Sequence, residues 1–255
     1  RLPMPDLTEP VEDPGPQIDR ADELREKWQT ERGQVWEVGR HRLMCGDATR
    51  EAAVLQGRQA DLCLTDPPYG IKRDGGFEGF EGFGGLGPPI ARRQYADNWD
   101  EERPGQMSFN TILEAAEGVI IFGGNYFADL LPVSTHWIVW DKNNTMPTFG
   151  DCELAWTNSS RTSVKKYEFT YNGLIGKEPE RWHPTQKPVG LFGLILGDYS
   201  KEKGLIYDPF LGSGTTMVAA EQLGRICYGM EIEPKYVAVT LERMAGMGLE
   251  PKLVE

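Results

Sequence analysis

Two apolar runs far apart in the chain end in the same way. "ADLCLT" (60–65) runs into "DPPYG" (66–70), and "GLIY" (204–207) runs into "DPFLGSGTT" (208–216). Each run has the length of a buried strand, and each stops at an Asp-Pro step, where proline removes the backbone donor that a ladder needs. The glycines of the second turn let the chain swing into a helix over 214–224. Around these corners, apolar and helical stretches alternate. The pattern predicts a hairpin over "VWEVGRHRLMCGDA" feeding a strand that stops at Gly46-Asp47, then a helix over 48–58 and a strand over 60–65. A helix near 109–116 precedes strands "GVIIFGG", "HWIVWDK" and "CELAWTN". A helix over 188–199, the strand "GLIYDP", the strand "CYGMEIE" and a helix over 235–246 complete the chain. Strands and helices alternating across short turns predict an α/β protein, a mostly parallel sheet with helices on both faces.

At 255 residues the chain can bury a substantial core. No apolar run reaches the roughly 20 residues that span a bilayer, and no signal-peptide pattern is present. Cys45, Cys63, Cys152 and Cys227 are scattered without a CxxC pair, as reduced core residues of a cytosolic protein would be. None of the three histidines stands at metal-ligand spacing, so no metal site is expected.

The ends and joints read differently. Residues 1–17 are proline-rich and acidic and predict an extended tail, followed by a short polar helix over 18–31 with Gly33 after its end. Residues 1–33 are thus read as a tail or linker, and 34–255 as the folded domain. The chain starts at Arg1 rather than methionine, which suggests a fragment or a processed chain. "DGGFEGFEGFGGLGPP" (74–89) is too glycine-rich to pack as an element. It begins a few residues after the first corner, where it could serve as a lid or as a plain connector. Residues 158–182 read as polar and irregular.

Net charge is −12, which argues against a nucleic-acid partner taken as a whole. The charge is uneven, however. Residues 1–32 hold nine acids against five bases, whereas 161–187 hold six lysines and arginines against three acids.

The 208–216 turn lacks the lysine of a phosphate-cradling loop, and Met217 stands where a dinucleotide fingerprint needs its third glycine. What remains is a backbone that a ligand can approach at a helix start. Glu231, at the end of the next strand, has roughly the spacing of an acid that meets ribose hydroxyls. The other expected lining, Asp208, Asp66 and Asp47, is acidic, with no converging arginines. Such a site repels pyrophosphate and suits a cationic nucleoside, which is a description of S-adenosylmethionine.

The first corner suits methyl transfer to an exocyclic amine, whose lone pair is delocalised into the ring. Fixed acceptors for its N–H groups, the Asp66 carboxylate and the Pro67 carbonyl, favour a pyramidal nitrogen aimed at the methyl. Tyr69 can stack on the base face. A plainer reading of "DPPY" alone is that Pro67-Pro68 ends a strand and Tyr69 packs there.

Taken in order, "TDPPYG" (65–70), "HPTQKP" (183–188), "DPFLGSGTT" (208–216) and "GMEIEPKY" (229–236) resemble the S-adenosylmethionine-dependent DNA amino-methyltransferases of the beta arrangement. In that family the catalytic motif precedes the cofactor motif. The resemblance covers about residues 34–247. It implies a Rossmann-like seven-stranded mixed sheet with one antiparallel strand near an edge, and a "GLIYDP" strand beside the DPPY strand.

It also implies a catalytic set of Asp66, Pro67, Pro68 and Tyr69. Asp208, Phe210, Gly212, Ser213, Gly214, Thr215 and Thr216 would form the methionine-binding turn, with Asp66 at its border. Glu231 would be the ribose ligand, Gln186 and Lys187 contacts to the amino-acid end, and Asp47 and Ala48 the adenine side. Aspartate at the first motif position points to N6-adenine, with N4-cytosine the alternative. A bacterial or phage-like restriction–modification setting, cytoplasmic and nucleoid-associated, comes with the family.

Members commonly carry a sizeable target-recognition segment in the interval that here offers only about 143–182. Arg161, Lys165 and Lys166 could meet DNA phosphates there, or form an ordinary solvated face. Specificity is then relaxed, or comes from a partner or an upstream domain; a homodimer is a further expectation. A catalytically inert DNA-binding subunit of the same fold is the competing reading. A protein-glutamine methyltransferase is opposed by motif order, and a dehydrogenase by the failed fingerprint.

Overall fold

A computed structural model describes residues 12–70, 103–143, 150–170 and 187–255. A single 3-10 turn (Ile18–Arg20) leads into α1 (Ala21–Trp28), then the hairpin β1 (Val35–Val38) and β2 (His41–Cys45). A second 3-10 turn (Ala48–Arg50) runs into α2 (Glu51–Leu55), followed by β3 (Ala60–Thr65). Next come α3 (Gln106–Ala115), β4 (Ala116–Phe122), β5 (Trp137–Asp141), β6 (Cys152–Thr157) and β7 (Lys165–Glu168). The chain closes with α4 (Val189–Tyr199), β8 (Leu205–Asp208), α5 (Thr215–Gln222), β9 (Ile226–Glu231), α6 (Pro234–Gly246) and β10 (Pro251–Leu253).

The strands form one mixed sheet in the order β10-β1-β2-β9-β8-β3-β4-β6-β5-β7. The seven expected strands are the unbroken run from β2 to β5, with β6 antiparallel to both neighbours close to one edge. Three further strands extend it: β1 and β10 at one side and β7 at the other. A count of seven was therefore too low. β7 also corrects the reading of 158–182 as irregular throughout. Only Tyr167 of its four residues is buried. A polar edge strand is held by hydrogen bonds to a strand already in place, and no apolar alternation announces it.

Side chains alternate between the two faces along each central strand, as the pleat requires. Leu62 and Leu64 of β3, with Ile120 and Phe122 of β4, join the core under α4, α5 and α6. Cys63 of β3, with Val119 and Ile121 of β4, joins the opposite core with Val54, Leu55, Phe109 and Ile112 of α2 and α3. Helices thus cover both faces. α1 packs its buried Ala21 and Leu24 on Ala238 and Val239 of α6, and Asp13 and Pro14 also lie against α6, so the stretch read as linker is docked from about residue 13 onward. Among the described residues, no helix is long and apolar enough to cross a membrane.

Topology positions the site. From β3 the chain proceeds to β4 on one side, whereas from β8 it proceeds to β9 on the other, and β3 and β8 are parallel neighbours. Strand order reverses between them, which is where open α/β sheets leave a crevice at the carboxyl ends of their strands.

Candidate active site

Four adjacent parallel strands, β2, β9, β8 and β3, deliver acids at that edge. Glu231 ends β9, Asp208 ends β8, and Asp47 and Asp66 follow β2 and β3 within two residues. The two Asp-Pro corners are therefore neighbours, and a hydrogen bond joins them: the Thr65 hydroxyl donates to Asp208 Oδ1 at 2.7 Å.

Asp208 is buried and receives three donors. Besides Thr65, the Phe210 N–H donates to Oδ1 at 3.1 Å, and the Thr216 hydroxyl donates to Oδ2. A carboxylate offers about four lone-pair sites, so one remains for a ligand. Burial raises its pKa to about 6 against the pull of these donors. Glu231 is held similarly, by the Gly212 N–H at 3.0 Å on Oε2 and the Glu233 N–H at 2.8 Å on Oε1. Burial raises its pKa to about 7.

The glycine turn is shaped from beneath by α6. Gly214 has φ +87°, and a Cβ there would lie 2.9 Å from the Thr240 methyl, so only glycine fits. Thr215, at the first position of α5, donates its hydroxyl to the Lys187 carbonyl at 3.3 Å. Asp47 accepts the Thr49 N–H at 2.9 Å and the Thr49 hydroxyl at 2.6 Å, and these bonds hold its carboxyl below the usual range. Ala48 is buried beside it.

At the first corner, Tyr69 donates its hydroxyl to Asp66 Oδ1 at 2.6 Å, and Lys187 donates to Asp66 Oδ2 at 2.6 Å. The Lys187 ammonium also lies 3.2 Å from Glu153 Oε2, and Lys142 lies 2.7 Å from Glu153 Oε1. Charges thus alternate along Lys142, Glu153, Lys187 and Asp66. Burial opposes the Lys187 charge, but Asp66, Tyr69 and Glu153 outweigh it and keep the ammonium protonated. Burial raises Asp66, with Lys187 the largest opposing influence. Glu153 is pulled down to about 2, since the two lysines outweigh its burial. The Tyr69 ring stacks on Tyr126, with centroids 4.8 Å apart and planes 17° from parallel. A Cβ at Gly123 would fall 2.2 Å from that ring.

The structure brings together Asp66, Tyr69, Lys187, Asp208, Thr215, Thr216, Gly212, Gly214 and Glu231. Gln186, the loop over 74–89, and parts of 143–182 lie outside the described residues. Lys187 turns its ammonium to Asp66 and only its carbonyl to the glycine turn. Of the three basic residues proposed for DNA, Lys165 lies 3.2 Å from Asp198, and Lys166 lies 3.2 Å from Asp141 and 2.5 Å from Glu168. Arg161 lies over the Tyr199 ring at 4.9 Å. Sequence reasoning missed Glu153, Lys142 and Tyr126. Only Glu153 carried a signal, an acid inside the apolar run "CELAWT" that needs a cation if buried.

Comparison with known proteins agrees with this geometry. The DNA methylase family model matches residues 132–242, an interval that contains the glycine turn and Glu231. The Type II methyltransferase M.HinfI of Haemophilus influenzae is 24% identical over 262 residues, covering 84% of this chain and 70% of its own length. The Type II methyltransferase M.HpaI of Haemophilus parainfluenzae is 25% identical, covering 80% and 74%. Among solved structures, the M1.HpyAVI–SAM complex superposes with a TM-score of 0.50 at 21% identity, covering 79% of this chain and 98% of that one. The cytosine-N4-specific PvuII DNA methyltransferase superposes at 0.53 with 15% identity, covering 84% and 90%. The resemblance drawn from the motifs is borne out in sequence, and the fold class in three dimensions.

Proposed function

We propose that this chain is a DNA amino-methyltransferase that moves the methyl group of S-adenosylmethionine to the exocyclic N6 amine of adenine, on a base swung out of its duplex. The observation that carries the reading is the adjacency of the Asp66 and Asp208 corners across the switch point, joined by the Thr65–Asp208 hydrogen bond.

The residues present fit the cofactor. Glu231 retains lone pairs for a ribose diol after accepting two backbone N–H groups. Asp208 keeps one acceptor site toward a cationic amino-acid end, with Gln186 a further candidate there. Asp47 and Ala48 border the adenine side. Pairing the acidic edge with a cationic ligand offsets the cost of burying carboxylates. When bound, S-adenosylmethionine supplies an electrophilic methyl on a sulfonium.

The chain's own residues then handle the amine. Asp66 and the Pro67 carbonyl accept its N–H groups and orient the lone pair, while Pro68 stiffens the corner. Tyr69 offers its ring to the base and its hydroxyl to Asp66. Asp66 need not remove a proton before transfer, because the amine becomes acidic once the new N–C bond has formed. For the phosphates, Arg161, Lys165 and Lys166 remain our candidates. Exposed ion pairs contribute about 0–1 kcal/mol, so exchanging an acid for a phosphate costs little.

The test is mass spectrometry of nucleosides from DNA incubated with protein and cofactor. N6-methyladenine is expected, lost by about 1,000-fold in Asp66→Ala with cofactor affinity held within about three-fold. N4-methylcytosine in its place would move the reading to cytosine. Cofactor binding without modification of any base would favour an inert subunit.

A further inference from the structure

Arg243 is almost fully buried on α6, outside every motif discussed above, and each of its three donor nitrogens has an acceptor. Its Nη1 donates to the Ser213 carbonyl at 3.0 Å, inside the glycine turn. Its Nε donates to Asp13 Oδ1 at 2.8 Å, and Nη2 donates to Asp13 Oδ2, a two-pronged pairing that fixes the guanidinium plane. Asp13 is itself oriented by the Gly15 N–H at 3.0 Å. The adjacent Pro14 lies against α6 so closely that a Cβ at Gly246 would fall 2.7 Å from it.

One turn earlier on α6, Thr240 donates its hydroxyl to the Gly212 carbonyl at 3.1 Å. Consecutive carbonyls of the glycine turn are therefore both drawn toward α6. Peptide units are planar and trans, so a carbonyl pulled one way sends the following N–H the other way. With the Gly212 carbonyl drawn to Thr240, the Ser213 N–H faces away from α6. The orientation of the cofactor turn is set by donors on α6, and the better anchored of them depends on a carboxylate from the start of the chain.

We propose that Arg243 is a positioning residue for the cofactor turn, and that Asp13 locks it, so that residues 12–15 tune the affinity for S-adenosylmethionine. This rests on the cofactor assignment above. Asp13→Asn keeps the size of the side chain but sets an amide NH2 against the guanidinium, and Arg243→Lys keeps charge but loses the planar fork.

The experiment is calorimetric titration of S-adenosylmethionine, with steady-state methylation of DNA, on wild type, Asp13→Asn, Arg243→Lys and Glu242→Gln. Glu242 is the control. It accepts hydrogen bonds from Lys27 and Trp28 of α1, tying that helix to α6. Both Asp13→Asn and Arg243→Lys are expected to raise the cofactor KM and Kd about five- to ten-fold, with kcat at saturation within about two-fold. Glu242→Gln is expected to lower thermal stability while leaving Kd unchanged. Equal losses of affinity in Glu242→Gln and Asp13→Asn would overturn the proposal, because a loosened amino-terminal segment would then account for everything. Unchanged affinity in Asp13→Asn and Arg243→Lys would overturn it while leaving the proposed function standing. Wild-type protein that takes up no cofactor would overturn both.

Discussion

Lys187 Nζ stands 2.6 Å from Asp66 Oδ2 and 3.2 Å from Glu153 Oε2, so one buried ammonium serves two carboxylates of opposite consequence. Lys187 holds the Asp66 carboxyl down against burial, whereas Glu153 pushes it up. In the proposed mechanism Asp66 must be ionised to accept the amine N–H groups. Lys187→Met should therefore move the rising limb of the pH–rate profile to higher pH and lower transfer at pH 7.5 by about ten-fold or more. Glu153→Gln should move the same limb to lower pH. Shifts in one common direction would rule out this charge arrangement.

Tyr69 combines a ring and a hydroxyl with separable tasks. The hydroxyl binds Asp66 at 2.6 Å, and the ring stacks on Tyr126. Tyr69→Phe removes the hydrogen bond to Asp66 and the one accepted from Lys187 Nζ at 3.2 Å, and should cost about three- to ten-fold in kcat. Tyr69→Ala also removes the stacking face and should cost far more. Fluorescence of 2-aminopurine at the target position would follow the base: Tyr69→Phe should retain the extruded-base signal, and Tyr69→Ala should lose it.

On the proposed reading, Asp208 couples cofactor affinity to stability. Its folded pKa of about 6 lies above the ordinary carboxylate value because of burial. Its contribution to stability is full below about pH 4 and is lost as pH rises through 6. Asp208→Asn keeps Oδ1 as acceptor for Thr65 and Phe210, and its amide can donate to Thr216. The variant should gain about 2 kcal/mol of stability at pH 7.5 in denaturant titrations without cofactor, while cofactor affinity falls about ten-fold. In wild type, affinity should rise with pH between 5.5 and 7.5, as Asp208 and Glu231 ionise.

His41 sets an acid limit of a different kind. Its Nδ1 accepts the Cys227 N–H at 2.9 Å, which leaves Nε2–H to donate to Glu221 at 2.7 Å. Burial lowers the His41 pKa although Glu221 opposes it, so the fold keeps the ring neutral. A depressed histidine contributes stability that is present above about pH 6.5 and lost as pH falls. Glu221, lowered by the His41 bond, loses stability in the same direction. Asp208 and Glu231 gain stability over the same range, so the His41 effect is read as a difference: the stability margin of wild type over His41→Asn should shrink from pH 7 to pH 5. His41→Asn should be less stable at pH 7.5 by about 1–2 kcal/mol, with a flatter acid limb.

Much of this was legible in the residues. The central strands 60–65, 205–208 and 226–231 are apolar runs between turn signals, because a strand covered on both faces has no polar side to disguise it. Asp66, Asp208, Gly214 and Glu231 stood out for the same reason, at strand ends where chemistry interrupts a repeating pattern. β7 and β10 were not legible. Four and three residues long at the sheet margins, they owe their order to a neighbour's unpaired peptide groups. Nor was the docking of residues 12–28. An acidic, proline-containing stretch looks like solvent-facing chain until Arg243 and α6 are in place to receive it.

Composition and order along the polypeptide were enough for the class of fold, the two Asp-Pro corners and the kind of ligand they suit, since hydrophobic period and turn chemistry are local properties. Tertiary structure alone decided which charges face one another: Lys142 and Lys187 on Glu153, Lys187 on Asp66, and Asp13 on Arg243. Those pairings join positions up to 230 residues apart. Electrostatic energy depends on separation in space and on burial, and no local pattern encodes either for groups that meet only when the sheet and its helices have assembled.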